Sequence, residues 1–153
     1  LNLSTCGLMS PECQSRLAAI LPQCLSLTHF DFFGNLLDIE GMEAFAAALP
    51  ECPNITHLNF SDNKLKPDSL DALVAVLPRC HKLERVDLRN NDVLPKSVQS
   101  ATVTNLRRAL PQCRSLTHLD LRNNGLNYYG KDFFESHFRV HGLYYNWRGQ
   151  ILL

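Results

Sequence analysis

The sequence is poor in most features that would announce a function by themselves. No apolar stretch approaches the ~20 residues that a membrane span requires, and the longest, such as residues 44–50, falls far short. No basic segment followed by an apolar core opens the chain, so no secretory leader is visible in it. Neither charge is in excess: Lys+Arg and Asp+Glu both total 15, for a net charge of zero. A nucleic-acid-binding domain is normally far more basic. The seven glycines are scattered, with none of the clustered spacings that cradle phosphates. Six cysteines are present without a C-x-x-C pair or a converging His/Cys set, so the spacing of a zinc site is missing. No nucleophile and base stand together in any recognised pattern. These absences argue against a catalyst, a metal site, a bound cofactor, nucleic acid and a membrane.

What remains is the composition of a folded domain. Of 153 residues, 45% are hydrophobic and 20% charged, which excludes disorder and low-complexity polymer. The length suits one domain, or about five units of a repeat of 28–29 residues. Zero net charge hides a gradient along the chain. Residues 1–62 carry one base, Arg16, against seven acids, whereas residues 63–122 carry eleven bases against six acids. Laid out linearly in space, this gives an acidic end and a basic end, a field able to orient a partner. Ordinary solvated surface charge is the alternative.

Four segments align on the pattern L-x-x-L-x-L-x-x-N-x-L: Leu27, Phe30, Phe32, Asn35, Leu37; then Ile55, Leu58, Phe60, Asn63, Leu65; then Leu83, Val86, Leu88, Asn91, Val93; and Leu116, Leu119, Leu121, Asn124, Leu126. A truncated copy opens the chain as Leu1, Leu3, Cys6 and Leu8, with Cys in place of Asn. Successive copies are 29, 28, 28 and 33 residues apart. The alternating apolar positions make a short strand facing one way. The chain therefore begins inside a repeat, as expected of a fragment of a longer array.

The segments between strands carry helical spacing. Asp38 suits an N-cap before Met42, Phe45, Ala46 and Leu49, which fall at i, i+3, i+4 and i+7. The equivalent sets are Gln14, Leu17, Ala18, Leu21 after Ser10-Pro11, then Leu70, Leu73, Val74, Leu77 after Pro67, and Val103, Leu106, Arg107, Leu110. Each helix is expected to stop at a Leu-Pro step, at Pro22, Pro50, Pro78 and Pro111. Proline cannot continue a helix and biases its predecessor toward extended geometry. One such unit cannot bury its own apolar stripe, and stacking neighbours does.

This pattern over residues 1–126 resembles the leucine-rich repeat family, and its step is similar to the ribonuclease-inhibitor-like class. The resemblance implies an α/β solenoid, a horseshoe arc with a parallel sheet on the concave face and helices on the convex face. It implies that the Asn amides bond neighbouring backbone groups at the turns. It also implies a non-catalytic module that grips another protein with its concave strand residues, and that is a monomer by itself.

The residues between the apolar strand positions are expected to point outward in three rows. The first is His29, His57, Arg85 and His118; the second Asn2, Asp31, Asn59, Asp87 and Asp120; the third Ser4, Phe33, Ser61, Arg89 and Arg122. These rows, apart from Asn2 and Ser4, are the candidate protein-binding residues. Histidines beside aspartates invite a metal or proton-transfer reading, but Arg85 interrupts the row and would repel a cation. Arg85, Arg89 and Arg122 are strong contact candidates, because a planar guanidinium pairs bidentately with carboxylates. Phe33 is the large apolar residue among them. Asp87 and Asp120 pairing with the arginines inside the sheet is the competing account.

Four of the cysteines, Cys24, Cys52, Cys80 and Cys113, recur as L-P-x-C three residues before the strand. They are expected to be small buried hydrophobes at the helix-to-strand corner, which together with free thiols elsewhere fits a reducing, cytosolic-type compartment. The long step before the fourth copy adds five residues within 94–102, as a binding loop or an extra helical turn from Pro95. After Leu126 the repeat degenerates into a segment, 127–153, holding eight of the thirteen aromatics. A helix over Lys131–Phe138 and an aromatic cap on the open solenoid end are expected, with a docking patch of Tyr128, Tyr129, Tyr144, Tyr145 and Trp147 as the alternative. The Cys-bearing, degenerate repeats look similar to those of effectors from intracellular bacterial pathogens, which would occlude a partner enzyme, and to the arrays of cytosolic immune sensors. GTPase-activating and tropomodulin-like, actin-capping arrays share the period.

Overall fold

A computed structural model of the chain describes residues 1–8, 10–94, 100–125, 144–145 and 150–152. Four units follow one another, each a helix, a 3-10 turn and a strand. The strands are β1 (His29–Asp31), β2 (His57–Asn59), β3 (Arg85–Asp87) and β4 (His118–Asp120). The helices are α1 (Pro11–Ile20), α2 (Ile39–Ala48), α3 (Pro67–Val76) and α4 (Ala101–Ala109). β1 to β4 pair in parallel, in order and without slippage. Asn2 continues the sheet by a parallel bridge to Asp31. The fold is an α/β solenoid in which matching letters of the repeat become neighbouring side chains.

Register here is set by burial. Phe30, Leu58, Val86 and Leu119, the middle residues of the four strands, are each at most 2% exposed. A slip of one residue would turn every one of them to water. Behind them, four phenylalanines from two copies fill the core: Phe30 and Phe32 meet Phe45 at centroid distances of 5.4 and 5.3 Å, and Phe45 meets Phe60 at 5.7 Å. Helix starts follow the capping rules read from the sequence. Ser10, Asp38 and Ser100 each accept a backbone N–H with their side chain, from Cys13, Gly41 and Val103.

The asparagines form a buried ladder. Asn63 Oδ1 accepts the N–H groups of Asn35 and Leu37 in the preceding copy, at 2.9 and 2.8 Å. Its Nδ2 donates to the carbonyls of Phe32, Phe60 and Ser61. Asn91 does the same for Asn63 and Leu65, and Asn35 takes the N–H of Leu8. Tight turns strand backbone groups that must find partners, and one amide here serves several at once. Cys6, at the ladder position, is exposed and gives its thiol only to the Ser4 carbonyl. Immediately before each ladder position the backbone is left-handed: Thr5, Gly34, Asp62, Asn90 and Asn123 all have φ between 52° and 67°. Glycine, Asn and Asp tolerate that region best.

One expectation is corrected. The Leu-Pro steps do not stop the helices outright. Leu21, Leu49, Leu77 and Leu110 stay helical, and Leu-Pro-x forms a 3-10 turn after each α-helix. Proline fits there because the first turn of a 3-10 segment asks no N–H of it. With Ser100 as its cap, α4 begins at Ala101; the expected loop or helical turn from Pro95 falls on residues 95–99, which lie outside the described residues.

The switch to 3-10 geometry also explains the L-P-x-C cysteines. The N–H of each of these cysteines bonds the Leu carbonyl three residues back, which leaves the carbonyl four residues back without its usual partner. The thiol takes it: Cys24 Sγ donates to Ile20, Cys52 to Ala48, Cys80 to Val76 and Cys113 to Ala109, at 3.7, 3.4, 3.5 and 3.3 Å. These thiols are therefore helix C-caps as well as buried fillers. Cys52, Cys80 and Cys113 are 8% exposed, whereas Cys24 is only half-buried.

At the far edge of the sheet, β6 (Gln150–Leu152) pairs antiparallel with β4, and β5 (Tyr144–Tyr145) antiparallel with β6. The open edge of β4 is thus covered by strands, which period-based reading of the tail did not anticipate. The expected helix over Lys131–Phe138, with Tyr128, Tyr129, Phe133, Phe134 and Trp147, lies outside the described residues.

Candidate binding face on the strands

Parallel pairing brings the first row together in register, His29 to His57 to Arg85 to His118, and the second row likewise, Asp31 to Asn59 to Asp87 to Asp120. Both rows line a shallow depression of about 310 Å³ on the strand face. Stacked parallel strands force this arrangement, since residues at equal phase sit one above another at the strand spacing of about 4.8 Å.

The second and third rows are largely satisfied from within. Asp87 and Asp120 each accept the backbone N–H two residues on, of Arg89 and Arg122. Each also holds the guanidinium of that arginine through Nε and Nη2. Arg89 Nε lies 3.6 Å from Asp120 as well. Hydrogen bonding to Asp87 and to Asp120 raises the pKa of Arg89 and Arg122 respectively. Both arginines are therefore paired with an aspartate two residues back. Asp31 accepts from the Phe33 N–H and from Asn59 Nδ2. Asn59 Oδ1 in turn accepts from the backbone and hydroxyl of Ser61.

Placement within the third row differs from expectation at two residues. Ser61 is 2% exposed, with its hydroxyl turned back onto Asn59. Its small side chain turns back to an acceptor two residues away, as Ser commonly does beside a turn. Phe33 is half-buried rather than standing free.

The first row is different. His29 and Arg85 are exposed, and His57 and His118 half-buried. Each histidine meets the hydroxyl of the threonine before it through Nδ1: Thr28 at 3.0 Å, Thr56 at 2.8 Å and Thr117 at 2.9 Å. Duplication of Thr-His thus fixes three rings in one orientation. Burial, then the neighbouring His29 and Arg85, push the pKa of His57 down, against a smaller opposing effect of Glu84. Among the described residues no group of three or more His, Cys, Asp or Glu is placed to hold a metal.

A family model described as "Leucine Rich repeat" matches residues 51–74 and 112–130. A solved structure titled "Leiomodin-1 Actin-Binding Site 2 (ABS2)" is similar in fold, with a TM-score of 0.67 at 18% sequence identity. The similarity covers 76% of this chain and 66% of that one, so the chain spans just under two thirds of that structure's length. No curated protein shows a match to the chain. Family match and fold agree with the arrangement above: the fold is an α/β solenoid of the leucine-rich-repeat type.

Proposed function

We propose that the chain is a non-catalytic protein-binding module that uses its concave, strand-lined face. The observation that carries this is the in-register first row, His29, His57, Arg85 and His118. It is a continuous line of polar side chains on a rigid sheet, beside rows whose groups are already paired. Repeat solenoids use such extended surfaces for recognition. The depression there is shallow and open, unlike the enclosed pockets in which catalysts exclude water. Within this reading the finer role is occlusion of a partner enzyme, in the manner of an inhibitor or a pathogen effector. All six cysteines are free, which supports a reducing compartment such as a cytosol.

The test is site-specific crosslinking. A photoreactive residue at His57 or Arg85 is expected to capture the partner, and one at Arg108 on the helix face is not. Capture from Arg108 alone would move the contact to the helices.

A second reading is an actin-directed module, favoured by the fold likeness to the leiomodin fragment. It predicts that the chain slows elongation at filament pointed ends. Unchanged elongation at saturating protein removes it.

A further inference from the structure

The strand face reading leaves open what chemistry the first row selects, and the threonine hydroxyls answer that. A hydroxyl has one proton to donate. Thr56 Oγ1 lies 3.0 Å from the Thr28 carbonyl oxygen, and Thr117 Oγ1 lies 3.1 Å from the Glu84 carbonyl oxygen. In each contact the hydroxyl is the donor, since the carbonyl has no proton to give. Each hydroxyl therefore points its hydrogen at the carbonyl and has only lone pairs left for its histidine. His57 Nδ1 and His118 Nδ1 must carry hydrogen to bond them at 2.8 and 2.9 Å. In a neutral imidazole the other nitrogen is then an acceptor. So His57 and His118 present Nε2 lone pairs, and neither Nε2 has a partner among the described residues.

Between them in register stands Arg85. It is exposed, and its guanidinium makes no ion pair or hydrogen bond among the described residues. Arg89 and Arg122, by contrast, are held by Asp87 and Asp120. Among the described residues Arg85 is thus an uncompensated cation on the strand face, flanked by two acceptors.

We propose that His57, Arg85 and His118 form an acceptor–cation–acceptor row that takes one α-helix of a partner protein, with a carboxylate on Arg85 and a hydrogen-bond donor on either side. This rests on the strand-face reading. The helix follows from spacing. Row neighbours are about 4.8 Å apart, so His57 and His118 are separated by roughly 9.6 Å. Residues i, i+4 and i+7 of an α-helix share a face and span about 10.5 Å. Same-face residues of an extended chain would span roughly 13 Å over the same two steps and fall out of register.

Nitrogen-15 NMR on the full chain at pH 7.5 tests it. The imidazole shifts of His57 and His118 are expected to report hydrogen on Nδ1; hydrogen on Nε2 overturns the proposal. Two synthetic helical peptides are then titrated, one with Gln, Glu and Gln at i, i+4 and i+7, the other with Glu, Lys and Glu there. The first is expected to bind at least tenfold more tightly and to shift both Nε2 signals. Arg85→Gln is expected to erase that preference, and Arg85→Glu to invert it. Equal affinities, or no binding of either peptide, overturn the proposal. Shifts on the strand face that ignore the charge order overturn this inference alone, and shifts confined to the helix face overturn the strand-face reading with it.

Discussion

The imidazole rings of His29 and His57 lie face to face, with centroids 4.1 Å apart and planes 13° from parallel. Parallel pairing of identical residues makes this contact, and at His57 it favours the neutral ring, since burial and the neighbouring His29 and Arg85 all oppose a proton there. The His57 pKa is accordingly lowered. An unfolded chain then binds more protons than the folded one below the ordinary histidine pKa of about 6.5. The contribution of His57 to stability is therefore complete above that value and declines as pH falls through the lower folded pKa. Chemical denaturation between pH 7.5 and 5 is expected to show a shallower decline in His57→Phe, which keeps a flat ring without the proton site. Identical slopes in the two proteins would remove His57 as the cause.

Asn63→Ala strands the N–H groups of Asn35 and Leu37 and empties the site facing three carbonyls. Each buried group left without a partner costs about 1–3 kcal/mol, so urea unfolding is expected to show a loss of about 3–5 kcal/mol. Asn63→Asp keeps the acceptor but sets oxygen against the Phe32, Phe60 and Ser61 carbonyls. It is expected to be no better than the alanine variant. An Asp variant of wild-type stability would show that the donated bonds contribute nothing.

Thiol labelling is expected to resolve the cysteines into classes. Cys6 and Cys13 are exposed and Cys24 half-buried. Burial, with the neighbouring thiol of the ladder, pushes Cys80 and Cys113 up to about 11. Burial, then Cys24 and Glu51, also raise Cys52. Since the thiolate is the reactive form, a maleimide reagent in native buffer is expected to label Cys6 and Cys13 first and to leave Cys52, Cys80 and Cys113 for denaturant. Mass spectrometry of labelled peptides reads the order. Early labelling of Cys80 would contradict its role as cap on the Val76 carbonyl.

Leu36 holds a left-handed backbone, φ 54°, directly after ladder residue Asn35, and its side chain is 38% exposed. The same place in the truncated opening copy and in the fourth copy is Gly7 and Gly125, both left-handed. Non-glycine residues pay about 1–2 kcal/mol in that region. Leu36→Gly is expected to raise the melting temperature, by relief of up to about 1 kcal/mol, and Leu36→Ala, which keeps the Cβ, is not. Equal behaviour of the two variants would assign the effect to the lost side chain instead.

The periodic part of this structure was legible because each repeated letter has one environment. Leu58 and Phe60 had to be core, Asp38 had to cap, and Asn63 had to meet the turn, since each repeated position keeps one set of neighbours. Departures came where the decisive contact is a side-chain rotamer between residues two apart in one copy, or where a segment has no counterpart in the repeat. Ser61 stands in an outward row by parity, yet it turns onto Asn59. Arg89 and Arg122 were as compatible with a partner as with their own aspartates, and the bidentate contact to Asp87 and Asp120 depends on rotamers that spacing does not contain. The antiparallel strands against β4 belong to a segment without the repeat, so no phase existed to place them.

The asparagine ladder has a direction. Asn63 secures amides of the copy before it, and Asn91 secures those of the copy before that one's successor, Asn63 and Leu65. Help always arrives from downstream. During synthesis, then, every turn must wait for the following unit to leave the ribosome before its amides are tied off. Unravelling from the carboxyl side loosens each newly terminal unit in turn, while trimming from the amino side leaves the survivors fastened.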